Sequence, residues 1–182
     1  MNNNMFGNRQ CQKDTFNKCR NNSFGIVSDT CGSGKSRVQD ALICQSIEDN
    51  ECSICVFQAP RLCLIEQQED NFYEFQQKNY SNINFDVFEI SSANRSKNTE
   101  HDKNTEHDKI DSSTKVDDIA ELIMNHINNK VSLVIFLCNA SVEKLYNAIN
   151  IVKSEYKDFK IDEYIVDEGH YNTNNMAKNE GN

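Results

Sequence analysis

Apolar residues along this chain fall into short continuous runs, separated by stretches in which they recur every three or four positions. The continuous runs lie at 23–30, 52–59, 82–90, 131–140 and 160–170. Runs of this length bounded by polar residues predict buried strands, whereas the periodic stretches between them predict helices. The helices are expected at 9–22, from Lys35 to Ile47, and at 62–78, 116–129 and 141–156, the last of them capped by Ser141.

The order of these elements predicts the architecture. Strands that alternate with helices favour a parallel sheet covered by helices on both faces. The expected fold class is therefore α/β, with three layers and a central, mainly parallel sheet. The length of 182 residues gives room for one such domain. We expect a leading segment with a short helix over 1–22 and the domain itself over 23–182, ending in a polar tail at 172–182.

A polar stretch at 91–115 interrupts the pattern and has no apolar periodicity. It contains a tandem duplication, "NTEHDK" at 98–103 and again at 104–109. His101 and His107 stand beside acidic residues there, which is one way to build a metal site. A short duplication in a polar, low-complexity stretch is more typical of a disordered insertion, and we interpret 91–115 in that way.

Composition and charge narrow the classes of function. The net charge of −9 argues against a surface that binds nucleic acid by bulk electrostatics, so a nucleic-acid contact would have to be a local cleft. No apolar run approaches the roughly 20 residues that span a bilayer, and "MNNNMFGNRQ" lacks the apolar core of a signal peptide. We therefore expect a soluble intracellular protein with no membrane partner, in the cytoplasm, the nucleus or a viral setting.

The chain carries eight cysteines, which raises the alternatives of zinc, redox chemistry and disulfides. The only C-x-x-C is "CSIC" at 52–55, and no second pair stands at zinc-finger distance. Because that pair sits inside an apolar run, buried free thiols in a reducing compartment are the favoured interpretation.

The stretch "TCGSGKS" follows the first predicted strand and leads into a predicted helix. Two of only six glycines, Gly32 and Gly34, fall within three residues here. A glycine-rich turn between a strand and a helix presents backbone N–H groups to phosphates. Lys35 would then reach the β- and γ-phosphates, and the Ser36 hydroxyl would ligate Mg²⁺. The phosphate-loop pattern G-x-x-x-x-G-K-[ST] has glycine where this chain has Asp29, and the alternative is a plain helix start rich in small residues.

A second candidate, "YIVDEGH" at 164–170, places acidic residues at the end of the last predicted strand. Asp167 would hold the Mg²⁺ shell, and Glu168 would orient and deprotonate the attacking water. His170 would sense the γ-phosphate. An acidic pair at a strand end is more often a solvated turn, but an upstream phosphate loop reverses that preference.

Together these segments resemble the superfamily-2 helicases of the DEAD/DEAH-like group. "GSGKS" and "DEGH" resemble motifs I and II, and "VFQAPRLCLIEQ" at 56–67 resembles motif Ia. "VIFLCNASVEKL" at 134–145 resembles the strand that precedes motif II in restriction-subunit-like and viral helicases. The matches occur in the family's order and cover nearly all of the chain outside 91–115.

The resemblance implies a RecA-like P-loop NTPase domain that binds ATP and Mg²⁺ and contacts DNA or RNA. The nucleotide would be held by Thr30, Cys31, Gly32, Ser33, Gly34, Lys35 and Ser36. Gln12 resembles the upstream glutamine that reads adenine, although a plain surface glutamine is about as good an interpretation. The nucleic-acid contacts would come from Pro60, Arg61, Gln67, Asn139 and Ser141.

Family members continue into a Ser-Ala-Thr motif and a second RecA-like domain that carries arginine fingers. This sequence stops twelve residues after His170, so the resemblance implies the N-terminal part of a helicase, truncated after motif II. A second helicase domain or subunit would be supplied in trans. Two alternatives stay open: a non-catalytic nucleotide-binding or interaction remnant of a helicase, and a P-loop NTPase of another class.

Overall fold

Five α-helices and five β-strands make up the part of the chain that the structure, a computed structural model, describes: residues 5–7, 9–28, 32–91 and 111–168. The helices are α1 (Gln10–Arg20), α2 (Lys35–Asp49), α3 (Leu62–Asn79), α4 (Val116–Asn129) and α5 (Val142–Glu155). The strands are β1 (Ile54–Ala59), β2 (Phe85–Ile90), β3 (Asp111–Ser112), β4 (Ser132–Cys138) and β5 (Glu163–Val166).

The five strands form one sheet in the order β3-β2-β4-β1-β5, and every neighbouring pair is parallel. At the centre of the sheet, Phe57 of β1 stands opposite Phe136 of β4 on one side and Ile165 of β5 on the other. All six residues of β1 are buried. The predicted parallel sheet is therefore confirmed, and continuous apolar runs were the signal that revealed it.

Side chains of the sheet alternate between two hydrophobic clusters. Cys55 and Phe57 face the cluster that includes residues of α1, α2 and α3, whereas Ile54 and Val56 face the cluster that includes residues of α4 and α5. The Phe57 and Phe136 rings pack with centroids 5.7 Å apart. Helices thus cover both faces of the sheet, as the three-layer prediction required.

The first predicted strand, at 23–30, is not found. Residues 23–28 form no strand, and the side chains of Phe24 and Ile26 are 85% and 88% exposed. Strand β5 pairs with β1 on one edge, and its other edge has no partner among the described strands. An apolar run supplies the side chains that a strand needs, but a strand forms only where its backbone finds a partner. Residues 29–30 lie outside the described part.

The polar stretch expected at 91–115 contains one element that the sequence did not predict. Asp111 and Ser112 form β3, which pairs with Phe88 and Glu89 of β2. A strand of two residues is too short to have a periodicity, so its pairing depends on the open edge of β2. The duplicated segment, with His101 and His107, lies outside the described residues.

The cysteines follow the prediction only in part. Cys44 and Cys55 are buried free thiols, and burial raises the pKa of Cys55 to about 12, so its thiol stays protonated. Cys11 and Cys63, however, are exposed, which the expectation of buried thiols did not anticipate. Within the described ranges, no three His, Cys, Asp or Glu side chains come together as metal ligands, and no helix is both long and apolar enough to cross a membrane.

His126 lies on α4 and is buried. Its Nδ1 lies 2.8 Å from the Leu122 carbonyl oxygen, and its Nε2 lies 3.0 Å from Asp86 Oδ2 at the start of β2. The contacts of this side chain are with α4 and β2, away from the acidic pair at the end of β5, so we assign it a structural role.

Candidate functional site

The loops that follow β1, β4 and β5 lie at one edge of the sheet because these strands are parallel and adjacent. Ligands of open α/β sheets bind at this carboxyl edge. Two contacts place Asp167 at this edge and link it to α2, the helix that begins at the glycine turn. The Asp167 N–H donates to the Gln58 carbonyl oxygen (2.8 Å), and Gln39 Nε2 of α2 donates to Asp167 Oδ1 (3.2 Å).

The glycine turn has backbone angles that explain its composition. Gly32 and Gly34 have φ values of 79° and 86°, in the left-handed region that a residue with a Cβ rarely adopts. Gly34 is the N-cap of α2, and no side chain caps this helix start. The positive end of the helix dipole and the first-turn N–H groups therefore face the turn, as an anion-binding site requires.

Gln12 of α1 lies directly against this turn. Its Nε2 donates to the carbonyl oxygens of Ser33 (2.8 Å) and Gly34 (3.3 Å). A Cβ built on Gly34 would overlap the Gln12 amide nitrogen, so a side chain at this position would displace the Gln12 amide from the turn. The structure thus brings together two predicted site positions that stand about 20 residues apart in sequence.

Buried polar atoms without hydrogen-bond partners concentrate at the same place. Among the described residues there are five such atoms, and three of them, Gln12 Oε1, Ser33 Oγ and Gln39 Oε1, belong to the turn or its neighbours. An unpaired buried polar group costs about 1–3 kcal/mol, so folded proteins rarely retain one without a reason. A bound polar ligand would supply the missing partners.

A cavity of about 600 Å³ adjoins the turn. Gly34, Ser36 and Asp40 line one wall, and Phe75 and Lys78 of α3 line another. This volume lies within the range of small-molecule sites. The anion-binding turn and a cavity large enough for an organic group therefore lie side by side.

The acidic pair follows β5 as predicted. Asp167 is half-buried and held by its two hydrogen bonds, whereas Glu168 is exposed. Glu168 has φ 51°, in the left-handed region that costs a non-glycine residue roughly 1–2 kcal/mol. Strained residues of this kind concentrate at functional sites. His170, Thr30 and Cys31 lie outside the described residues.

The donor set fits magnesium better than a structural metal. Asp167 offers a carboxylate, and Ser36 offers an exposed hydroxyl at the start of α2. Mg²⁺ keeps several waters and binds through one or two carboxylates plus phosphate oxygens, so it needs no further protein ligands. A zinc site takes three or four Cys, His, Asp or Glu ligands, and no group of three such side chains is found in the ranges described.

Of the residues predicted to contact nucleic acid, those directly after β1 and β4 lie at the same edge of the sheet. Pro60 is half-buried and Arg61 is exposed, directly after β1, and Gln67 is exposed on α3. Asn139 follows β4, and its Oδ1 accepts a 2.7 Å hydrogen bond from Gln58 Nε2.

Ser141 departs from its two predicted roles. It stands at the N-cap of α5, but its side chain makes no capping bond, because a 3₁₀ turn at Asn139–Ser141 precedes the helix. The residue is only 5% exposed, and its Oγ lies 3.8 Å from Cys138 Sγ. In this conformation the hydroxyl is buried beside Cys138.

Sequence reasoning missed two glutamines that connect the site. Gln39 stands one turn after Lys35 on α2 and reaches Asp167. Gln58 links three strand ends, since its Oε1 accepts from the Tyr164 hydroxyl (2.7 Å) and its Nε2 donates to Asn139. The available signals were the spacing of four from Lys35 and a single polar residue inside the apolar run of β1.

Comparisons with known proteins identify a family and a similar fold. The family model described as "Type III restriction enzyme, res subunit" matches residues 6–180. In fold, the chain is similar to a nuclease-deletion mutant of the Type ISP restriction-modification enzyme LlaGI, solved in complex with a DNA substrate mimic. The TM-score is 0.62 at 17% identity, over 89% of this chain and 15% of that one. No curated protein matches in sequence.

Proposed function

This chain belongs to the family of type III restriction enzyme res subunits, and from that membership we propose that it is the ATP-binding motor domain of a nucleic-acid helicase or translocase. The observation that carries the proposal is the concentration of unpartnered buried polar atoms around the glycine turn and helix α2, which is linked to Asp167 through Gln39. A nucleotide supplies partners for two of these atoms, because the Ser33 hydroxyl donates to a phosphate oxygen and Gln12 Oε1 accepts from the amino group of a base.

We propose the following roles in nucleotide binding. The N–H groups of the glycine turn and the Lys35 ammonium bind the phosphates, and Ser36 and Asp167 hold Mg²⁺, which supplies charge neutralisation when bound. The orphaned Gln12 Oε1 accepts a hydrogen bond from the amino group of adenine. Glu168, exposed beside Asp167, orients the water that attacks the γ-phosphate.

The nucleic-acid partner is proposed to cross the carboxyl edge of the sheet. LlaGI was solved with a DNA substrate mimic, and we extend a DNA or RNA partner to this chain. Because the net charge is −9, binding depends on local groups such as Arg61 and Asn139 and not on a broad basic surface.

Hydrolysis is proposed to need a second motor domain. Phosphoryl transfer requires positive charge to stabilise the transition state, and arginine fingers commonly supply it from a neighbouring domain or chain. The chain spans about 15% of the length of the LlaGI structure. We expect this chain by itself to bind nucleotide better than it hydrolyses it.

A binding titration tests the proposal. A fluorescent ATP analogue is titrated against the protein with and without Mg²⁺, and then in the presence of single- and double-stranded DNA and RNA oligonucleotides. We expect binding that Mg²⁺ strengthens and that at least one polynucleotide alters. Binding that changes neither with Mg²⁺ nor with any polynucleotide would exclude a motor domain and favour another class of P-loop protein.

Arg61→Ala is expected to weaken oligonucleotide affinity about three- to tenfold and to lower the salt slope of log affinity by about 0.7–0.9, the effect of one lost phosphate contact. Arg20→Ala is the matched control, because Arg20 pairs with Asp49 at the opposite end of α2 and such exposed pairs contribute little. Fluorescence anisotropy at several salt concentrations measures both effects. Equal slopes for Arg61→Ala and the wild type would contradict this contact.

A further inference from the structure

The side-chain amide of Gln39 is satisfied at one end and unsatisfied at the other. Its Nε2 donates to Asp167 Oδ1 at 3.2 Å, while its Oε1 is buried without a hydrogen-bond partner. Gln39 stands one turn after Lys35, on the helix that begins at the glycine turn.

The orientation of this amide is set by its partner. A carboxylate only accepts hydrogen bonds, so the amide group that faces Asp167 must be the NH₂ group. The carbonyl oxygen is consequently directed away from Oδ1 and remains available to accept a bond. A simple tether between α2 and β5 needs the NH₂ group alone and gives no reason to bury an unsatisfied oxygen.

The partner of Oε1 must be a hydrogen-bond donor close to Asp167. Phosphate oxygens are acceptors and would be repelled by Oε1. A water molecule in the shell of a divalent cation is a strong donor, and a cation held by Asp167 brings such waters to the immediate neighbourhood of this carboxylate.

We propose that Gln39 is a positioning residue for the magnesium site, which orients the Asp167 carboxylate through Nε2 and accepts a hydrogen bond from a magnesium-bound water through Oε1. The inference rests on the proposed function, since it presupposes that Mg²⁺ enters with a nucleotide. Neither role gives Gln39 a contact with the phosphates themselves.

Gln39→Met tests this role, because methionine keeps the length of the side chain and removes both polar atoms. Loss of outer-shell partners typically reduces metal affinity 10–100-fold. We expect the Mg²⁺ concentration at half-maximal enhancement of ATP-analogue binding to rise about tenfold. Binding without Mg²⁺ should stay within about twofold of the wild type, since the phosphate contacts are untouched. Both quantities come from fluorescence titrations and need no turnover.

Gln45→Met is the matched control. Gln45 is a buried glutamine on the same helix, but it bonds Glu48 and Asp49 at the far end of α2, away from the site. Its loss should lower the melting temperature and leave the Mg²⁺ midpoint unchanged. A purely structural role for Gln39 would make its variant behave in the same way.

The outcomes separate the two proposals. A wild-type protein that shows no Mg²⁺-dependent nucleotide binding overturns the proposed function. If the wild type shows it and Gln39→Met has an unchanged Mg²⁺ midpoint, or loses affinity equally with and without Mg²⁺, the role of Gln39 is overturned while the proposed function stands. A raised midpoint with unchanged Mg²⁺-free binding supports both.

Discussion

Replacing Lys35 with alanine is expected to weaken binding of a fluorescent ATP analogue by about 100-fold, equivalent to roughly 2.7 kcal/mol. Lys35 is the first residue of α2, directly after the left-handed Gly34. Its ammonium would make charge-assisted hydrogen bonds to the phosphates, and bonds of that kind contribute about 1.5–3 kcal/mol. The loss should appear with and without Mg²⁺, since it concerns the phosphates and not the metal.

Two variants make the Lys35 experiment decisive. Lys153→Ala removes a lysine from the last turn of α5 and should leave binding unchanged. Lys35→Arg keeps the charge but replaces a compact ammonium with a planar guanidinium, so we expect partial affinity. Because none of these substitutions alters a core residue, the melting temperatures of the variants should agree closely with that of the wild type. If Lys35→Ala binds nucleotide as tightly as Lys153→Ala does, the glycine turn is not a phosphate site.

The sequence predicted well the elements whose buried side chains can be recognised from the local pattern of apolar residues. Helix α4 spans 116–129 as expected because its apolar residues form one stripe, and Ile119 and Ile123 on that stripe are fully buried. The prediction of a strand at 23–30 was wrong for the opposite reason. Its apolar side chains are a local property, whereas backbone pairing depends on a strand edge supplied by another part of the chain.

The site was predictable where function requires particular residue types. Glycines at the turn, Lys35 and the acidic pair after β5 carry chemistry that few other residues supply, so a sequence reveals them. Gln39 and Gln58 act through contacts that span 128 and 81 positions. A single glutamine on a helix is normally a surface residue, and only the folded chain shows that these two join the ends of separate elements.

Asp40 is a further residue that could not be recognised as important from the sequence. It lies on α2 among apolar positions, is 1% exposed, and accepts a 2.6 Å hydrogen bond from Gln68 Nε2. Burial raises the pKa of this carboxyl from its ordinary 3.8 to about 8, although Gln68 and Arg37 oppose the rise. Asp40 is therefore mainly protonated at neutral pH, in the wall of the cavity beside the glycine turn.

The sign of the resulting pH dependence follows from proton counting. Between about pH 4 and pH 8 the folded chain retains a proton on Asp40 that the unfolded chain has released. The folded state therefore binds more protons, and the free energy of unfolding falls as pH rises through this window, by up to about 1.4 kcal/mol per pH unit. Below the window the carboxyl is protonated in both states, and above it the carboxyl is ionised in both.

Asp40→Asn is expected to remove this part of the pH dependence. Asparagine keeps the shape of the protonated side chain, and its carbonyl oxygen can still accept the bond from Gln68. From pH 5 to pH 8.5 the wild type should lose several kcal/mol of unfolding free energy relative to the variant, measured by urea denaturation. Asp70→Asn, at an exposed position on α3, should follow the wild-type profile. Parallel profiles for Asp40→Asn and the wild type would show that Asp40 is ionised throughout, and the cavity beside the glycine turn would then carry a buried negative charge.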